Sequence, residues 1–145
     1  MARDRGKGDD MTLPVLQAAI VCKRAAKNED GTWTLEHATN DFTLPVIPSP
    51  EAPYTFRCGL YVQLFASGLQ TKETLYVVLV AGNVEVRTET PVEFKGKKRE
   101  FCTIGGELAL QCSSVGKTKL KIFWGDKPLG VFPFHISAPT VAASE

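Results

Sequence analysis

Long apolar runs are missing from this sequence: nowhere in its 145 residues do the roughly 18 consecutive apolar side chains of a membrane-spanning helix occur. Charge of one sign is missing too, since 17 basic residues face 16 acidic ones for a formal charge of +1. Such a balance sets up no long-range field, so capture of nucleic acid by overall charge is not expected. Histidine is scarce, with only His37 and His135, which leaves little material for imidazole chemistry. The four cysteines, Cys22, Cys58, Cys102 and Cys112, form no C-x-x-C pair, which excludes a zinc or redox site of that spacing. The opening, Met1 to Asp10, is polar and has no apolar h-region. No secretory signal is therefore expected, and the chain is placed in the cytoplasm, away from membranes, with free thiols. Asn28, Asn40 and Asn83 all fail the N-x-Ser/Thr pattern of glycosylation.

What is present is enough for one core. Apolar residues make up 43% of the chain, with eight Phe, three Tyr and two Trp, so a single domain can fold without disulfides, metal or cofactor. The expected organisation is a disordered tail over 1–11, one domain over 12–138 and a C-terminal tail over 139–145.

Inside the domain the apolar pattern has period two and nowhere the period of a helix. The cleanest stretch is Tyr54 to Leu64, where Tyr54, Phe56, Cys58, Leu60, Val62 and Leu64 share one face and Thr55, Arg57, Gly59, Tyr61 and Gln63 the other. Pro14 to Lys23 and Thr74 to Ala81 read as buried strands, and Trp33 and Leu35 alternate with Thr32, Thr34 and Glu36. Leu108, Leu110 and Cys112 share a face, as do Leu120, Ile122 and Trp124. Turn signals separate the runs: Asp30-Gly31, Gly82-Asn83, Val115-Gly116 and Gly125-Asp126-Lys127-Pro128. Four prolines at 45, 48, 50 and 53 mark an extended crossover, because proline cannot donate to a ladder. Glu93 to Glu100 reads as a polar, lysine-rich connection. The sum is an all-β chain of seven to nine strands, expected as an antiparallel, immunoglobulin-like β-sandwich.

Candidate chemistry fails at the level of pattern. Gly116-Lys117-Thr118 resembles the end of a phosphate-binding loop, but Gln111 stands where the first glycine belongs. The alternation from Lys119 to Trp124 also predicts a strand where that loop needs a helix. Cys22 and Trp33 match the first half of the immunoglobulin Cys-Trp-Cys pattern, yet neither Cys102 nor Cys112 has a Tyr two residues before it. A Cys102–His135 pair would serve nucleophilic chemistry, but no spacing supports it. The carboxylates Glu29, Asp30, Glu89 and Glu93 lie outside the apolar runs that raise a carboxyl pKa for acid catalysis.

The basic residues are the most suggestive surface feature. Lys95, Lys97, Lys98 and Arg99 fall in one connection, Lys117, Lys119 and Lys121 on one face of a strand, and Arg3, Arg5 and Lys7 in the leading tail. Converging, they would meet an anionic partner; apart, they are a solvated face and an edge strand guarded by lysine.

Three segments together resemble a family of uncharacterised bacterial proteins described as a domain of unknown function. They are Val21-Cys22 followed by Asp30-Gly31-Thr32-Trp33-Thr34-Leu35, the crossover at 45–53, and Phe123-Trp124-Gly125-Asp126-Lys127-Pro128-Leu129-Gly130 leading to Phe132-Pro133-Phe134. The resemblance spans residues 13–137 and implies a β-sandwich, with no catalytic residues to carry over. Glu36-His37 stand where that family has a small residue and an apolar one.

The expectation is therefore a non-enzymatic protein-binding or accessory module, engaging a protein partner through the loops 45–53 and 93–100 or through a sheet edge, the edge also offering self-association. Two alternatives stand beside it: a structural component of a phage or tail-like particle, and a weak binder of an anionic partner through the lysine-rich face.

Overall fold

Alternating burial carries over into the structure as ten strands. The computed structural model describes residues 13–82 and 84–139; the expected tails lie outside them, save for Pro139. In chain order the strands are β1 (Val15–Cys22), β2 (Arg24–Lys27), β3 (Trp33–Glu36), β4 (Asp41–Thr43), β5 (Tyr54–Ala66), β6 (Gln70–Ala81), β7 (Val84–Lys95), β8 (Glu100–Cys112), β9 (Gly116–Trp124) and β10 (Lys127–Ser137). No helix occurs among the described residues, so the class is all-β. Ten strands exceed the expected seven to nine because 24–36 folds into its own small hairpin and 41–43 adds a three-residue strand.

Three sheets form, with orders β1-β5-β8, β4-β10-β9-β6-β7 and β2-β3. Every pairing is antiparallel except β10 with β4, which is parallel. β4 is not joined to β10 by a tight turn, so the two are free to run the same way. A curled, half-barrel sheet is seen.

One apolar interior serves the two larger sheets. From the first sheet come Phe56, Cys58, Leu60, Val62 and Leu64, and from the second Leu75, Val77, Leu79, Leu120, Ile122 and Trp124, all at most 5% exposed. Each such side chain contributes roughly 1.5–3 kcal/mol by leaving water, which is why period two fixes which face turns inward.

Lysine-rich composition conceals the true extent of β7. Val92 and Phe94 are buried while Glu93 and Lys95 point to solvent, so the strand continues to Lys95 and the connection shrinks to 96–99. Along its open edge β7 carries Glu85, Arg87, Glu89, Pro91 and Glu93, the charges and proline that discourage strand addition.

The β2–β3 hairpin lies on the outer face of the three-stranded sheet. A Cβ at Gly59 would come within 2.5 Å of the Ala25 amide nitrogen, and one at Gly105 within 2.6 Å of the Trp33 ring. Only glycine permits that approach. The Asn28–Thr32 turn closes the hairpin: Asn28 N–H donates to Thr32 O (2.7 Å), and the Asp30 carboxylate accepts from the Thr32 hydroxyl (2.6 Å) and amide (3.0 Å). Those bonds hold the Asp30 carboxyl below its ordinary pKa.

Candidate interaction surfaces

Strand register decides where the basic residues stand. Lys95 pairs with Gln70 at one end of β6, whereas Lys119 pairs with Val80 near the other. Ten positions of β6 separate them, roughly 33 Å. Lys95, Lys97, Lys98 and Arg99 therefore do not join Lys117, Lys119 and Lys121 in one patch. Arg3, Arg5 and Lys7 lie outside the described residues. A carboxylate stands among the first group, since Glu100 accepts from the Lys95 and Lys97 backbone amides at 2.9 and 3.3 Å.

The second group is not on an edge. β9 is bonded to β10 on one side and to β6 on the other, so its lysines do not guard an unpaired strand. They point outward while Thr118, Leu120 and Ile122 point inward. Thr118 is 3% exposed and donates its hydroxyl to Phe134 O at 2.8 Å. A hydroxyl spent in that way, on a strand with no helix after it, does not serve a phosphate-binding loop. Lys117 faces His135 and Lys119 faces Pro133 across β9–β10, and with Asn40 they line a shallow depression of about 380 Å³. His135 Nδ1 is 3.6 Å from the Asp41 carboxylate.

Neither histidine meets a cysteine in working geometry. His135 projects from the outer face of the five-stranded sheet, whereas Cys102 turns toward the interior from β8 in the other sheet. His37 lies just past β3, exposed, with φ at 55°. All four thiols are free, and burial pushes each of them up, Cys58 to about 12. A thiol held protonated is a poor nucleophile. Cys22 is fully buried between β1 and the hairpin and donates to Arg24 O at 3.2 Å, while Trp33 sits outside the core against Gly105 and edge-on to Tyr61. Both depart from the immunoglobulin pin, in which a Trp packs on an inter-sheet disulfide.

The surface that the sequence pattern did not reveal is the outer face of the three-stranded sheet beyond the hairpin. Register sets Val15, Phe65 and Phe101 side by side across β1, β5 and β8. Val15 is 57% and Phe101 52% exposed, and the Phe65 and Phe101 rings lie 5.0 Å apart. Ile20 and Tyr61 continue the patch two rows on, with Gln63 and Thr103 between, joined by a 3.3 Å hydrogen bond. The alternating runs read from the sequence stop at Leu64 in β5 and start at Leu108 in β8, so neither Phe65 nor Phe101 was assigned to a face; β5–β8 register aligns them.

Two grooves flank the open side of the fold. One, of about 470 Å³, runs between Ala19–Val21 of β1 and Phe132–Phe134 of β10. The other, of about 620 Å³, lies between β4 and the start of β5 and is bordered by Lys23 and Arg57. Among the described residues no group of three His, Cys, Asp or Glu is placed to hold a metal ion.

No family model matches the chain, and no curated protein matches it. Among solved structures, the chain is similar to a β-glucosidase from Listeria innocua in complex with glucose, at 12% identity and a TM-score of 0.48. The match covers 68% of this chain and 15% of that one, and nothing about this chain's chemistry follows from it.

Proposed function

We propose that this chain is a non-enzymatic binding module whose three-stranded sheet takes a protein partner on its outer face. The carrying observation is the row Val15, Phe65 and Phe101, with two of its three side chains more than half exposed. Contiguous apolar surface of this kind, with polar groups beside it, is what protein interfaces bury at their centres. The buried thiols and dispersed histidines support the non-enzymatic part, and four free cysteines fit a cytoplasmic setting. The same reading includes an immunoglobulin-like sandwich and the likeness to the uncharacterised bacterial family; two sheets over one interior support it, and the absent disulfide departs from it.

The test compares wild type with Phe101→Lys as baits in lysate of the source cell, with sedimentation run in parallel to detect self-association. A species held by wild type and lost with the variant, at unchanged melting temperature, is the expected result. Equal capture by both baits, or capture by neither, overturns the proposal.

A further inference from the structure

The lysines of β9 stand where guarding an edge cannot explain them. Lys117, Lys119 and Lys121 rise from one face of an interior strand, about 6.7 Å apart. Their flanks are uncharged along Val131 and Pro133 on β10 and Val78 and Val80 on β6. Val78, although outward by parity, is only 2% exposed, as expected where long side-chain stems lie over a small apolar residue. Covering valine calls for the stem and not for the charge, and three like charges in file repel one another. Among the described residues none of the three lysines makes an ion pair. The nearest acids in their rows, Glu85 on β7 and Asp41 on β4, each stand two strands away, about 9.6 Å, and Asp41 faces His135 rather than a lysine.

We propose that this column docks an extended acidic segment of a partner protein, with carboxylates on alternate residues. Charge complementarity sets the sign, and spacing sets the conformation: same-face side chains of an extended peptide repeat at the same interval of about 6.7 Å as the lysines. Asn40 and His135 beside Lys117 and Lys119 border a depression that receives one such side chain. A single-stranded nucleic acid fits less well, because it needs aromatic platforms for its bases. Of the two Phe and Tyr rings on this face, Tyr76 already lies under the Arg87 guanidinium, at 5.0 Å, and Phe123 stands past Lys121 at the end of the column, so neither interleaves with the lysines. The inference concerns the five-stranded sheet and is independent of the apolar row on the other one.

The experiment titrates the full chain with a labelled peptide alternating Glu and Thr, with its isomer carrying the same glutamates in one block, and with a single-stranded oligonucleotide, each at low and at physiological salt. The alternating peptide is expected to bind best, with affinity falling as salt rises. Lys117→Gln, Lys119→Gln and Lys121→Gln, which keep most of each stem, are each expected to weaken it roughly two- to fivefold, and the triple variant roughly ten- to a hundredfold. Lys97→Gln with Lys98→Gln, at the far end of the sheet, is the control and leaves binding unchanged. Absence of binding, equal loss from the control, equal affinity for the blocked isomer, or tighter binding of the oligonucleotide each overturns the proposal.

Discussion

The two outer faces of this molecule solve the same problem in opposite ways. Both sheets must cover an outward surface that alternation leaves partly apolar. The five-stranded sheet does so with its own side chains, setting Lys119, Lys121 and Arg87 beside Val78, Val80 and Tyr76. The three-stranded sheet instead carries glycine at 59 and 105, which by itself would leave backbone bare, and the β2–β3 hairpin settles onto it. Cover by long charged side chains leaves a face wet and chargeable. Cover by a hairpin is complete where it reaches, with Cys22 wholly buried, and absent where it ends, with Val15 and Phe101 open to water. The difference separates an electrostatic surface from an apolar one on a chain that has almost no net charge.

The contrast breaks most severely at Gly59. A valine there suits a strand but collides with the Arg24–Ala25 backbone, so the hairpin must lift. The expected loss is about 3 kcal/mol by denaturant unfolding, the upper range for a forced side chain, together with a Cys22 thiol that becomes open to alkylation in the native protein. A Gly59→Val variant of wild-type stability with Cys22 still protected would show that the hairpin does not depend on the glycine.

Alkaline pH probes the same strand from its inner side, where burial lifts Cys58 from an ordinary value of 9.0 to about 12. Below pH 9 the folded and unfolded chains hold this proton equally, and the thiol's contribution to stability is fully present. Above it the unfolded chain ionises first, so stability falls by about 1.4 kcal/mol per pH unit until the native pKa is passed. A Cys58→Ala variant whose stability, referred to its own value at pH 8, declines as steeply between pH 9 and 11 would remove Cys58 as the cause.

Smaller effects separate the two sides of β9. Thr118→Val takes away the buried hydroxyl that donates to Phe134 O and is expected to cost about 1 kcal/mol in chemical unfolding. Lys121→Gln, three residues along on the outer side, is expected to change stability by less than about 0.5 kcal/mol. If the outward change proved the more damaging, those lysines would be structural rather than available to a partner.

Much of the strand inventory was legible from residues alone. The run from Tyr54 to Leu64 alternates so regularly that its inner face could be named in advance, and Gly125-Asp126 forms the turn between β9 and β10, with Trp124 paired to Lys127. β7 was cut short because Lys95, Lys97 and Lys98 resemble loop composition, although Val92 and Phe94 keep the period through Lys95. The apolar row was illegible for another reason: Val15, Phe65 and Phe101 are far apart in the chain and meet only through register.

Local order thus belonged to the sequence itself: an all-β chain, the inward and outward side of each long strand, the turns, and four cysteines that form no C-x-x-C pair. Tertiary structure alone settled which strands are neighbours beyond those joined by a tight turn. It placed β9 inside a sheet, which turns a presumed edge guard into an exposed column of charge. It also moved Lys95 to Arg99 to the opposite end and pressed Trp33 onto a glycine rather than into the core. The physical reason is that side-chain direction along a strand repeats every two residues and is written locally. Strand pairing outside the hairpins, by contrast, is chosen by contacts between segments tens of residues apart, which local pattern does not specify.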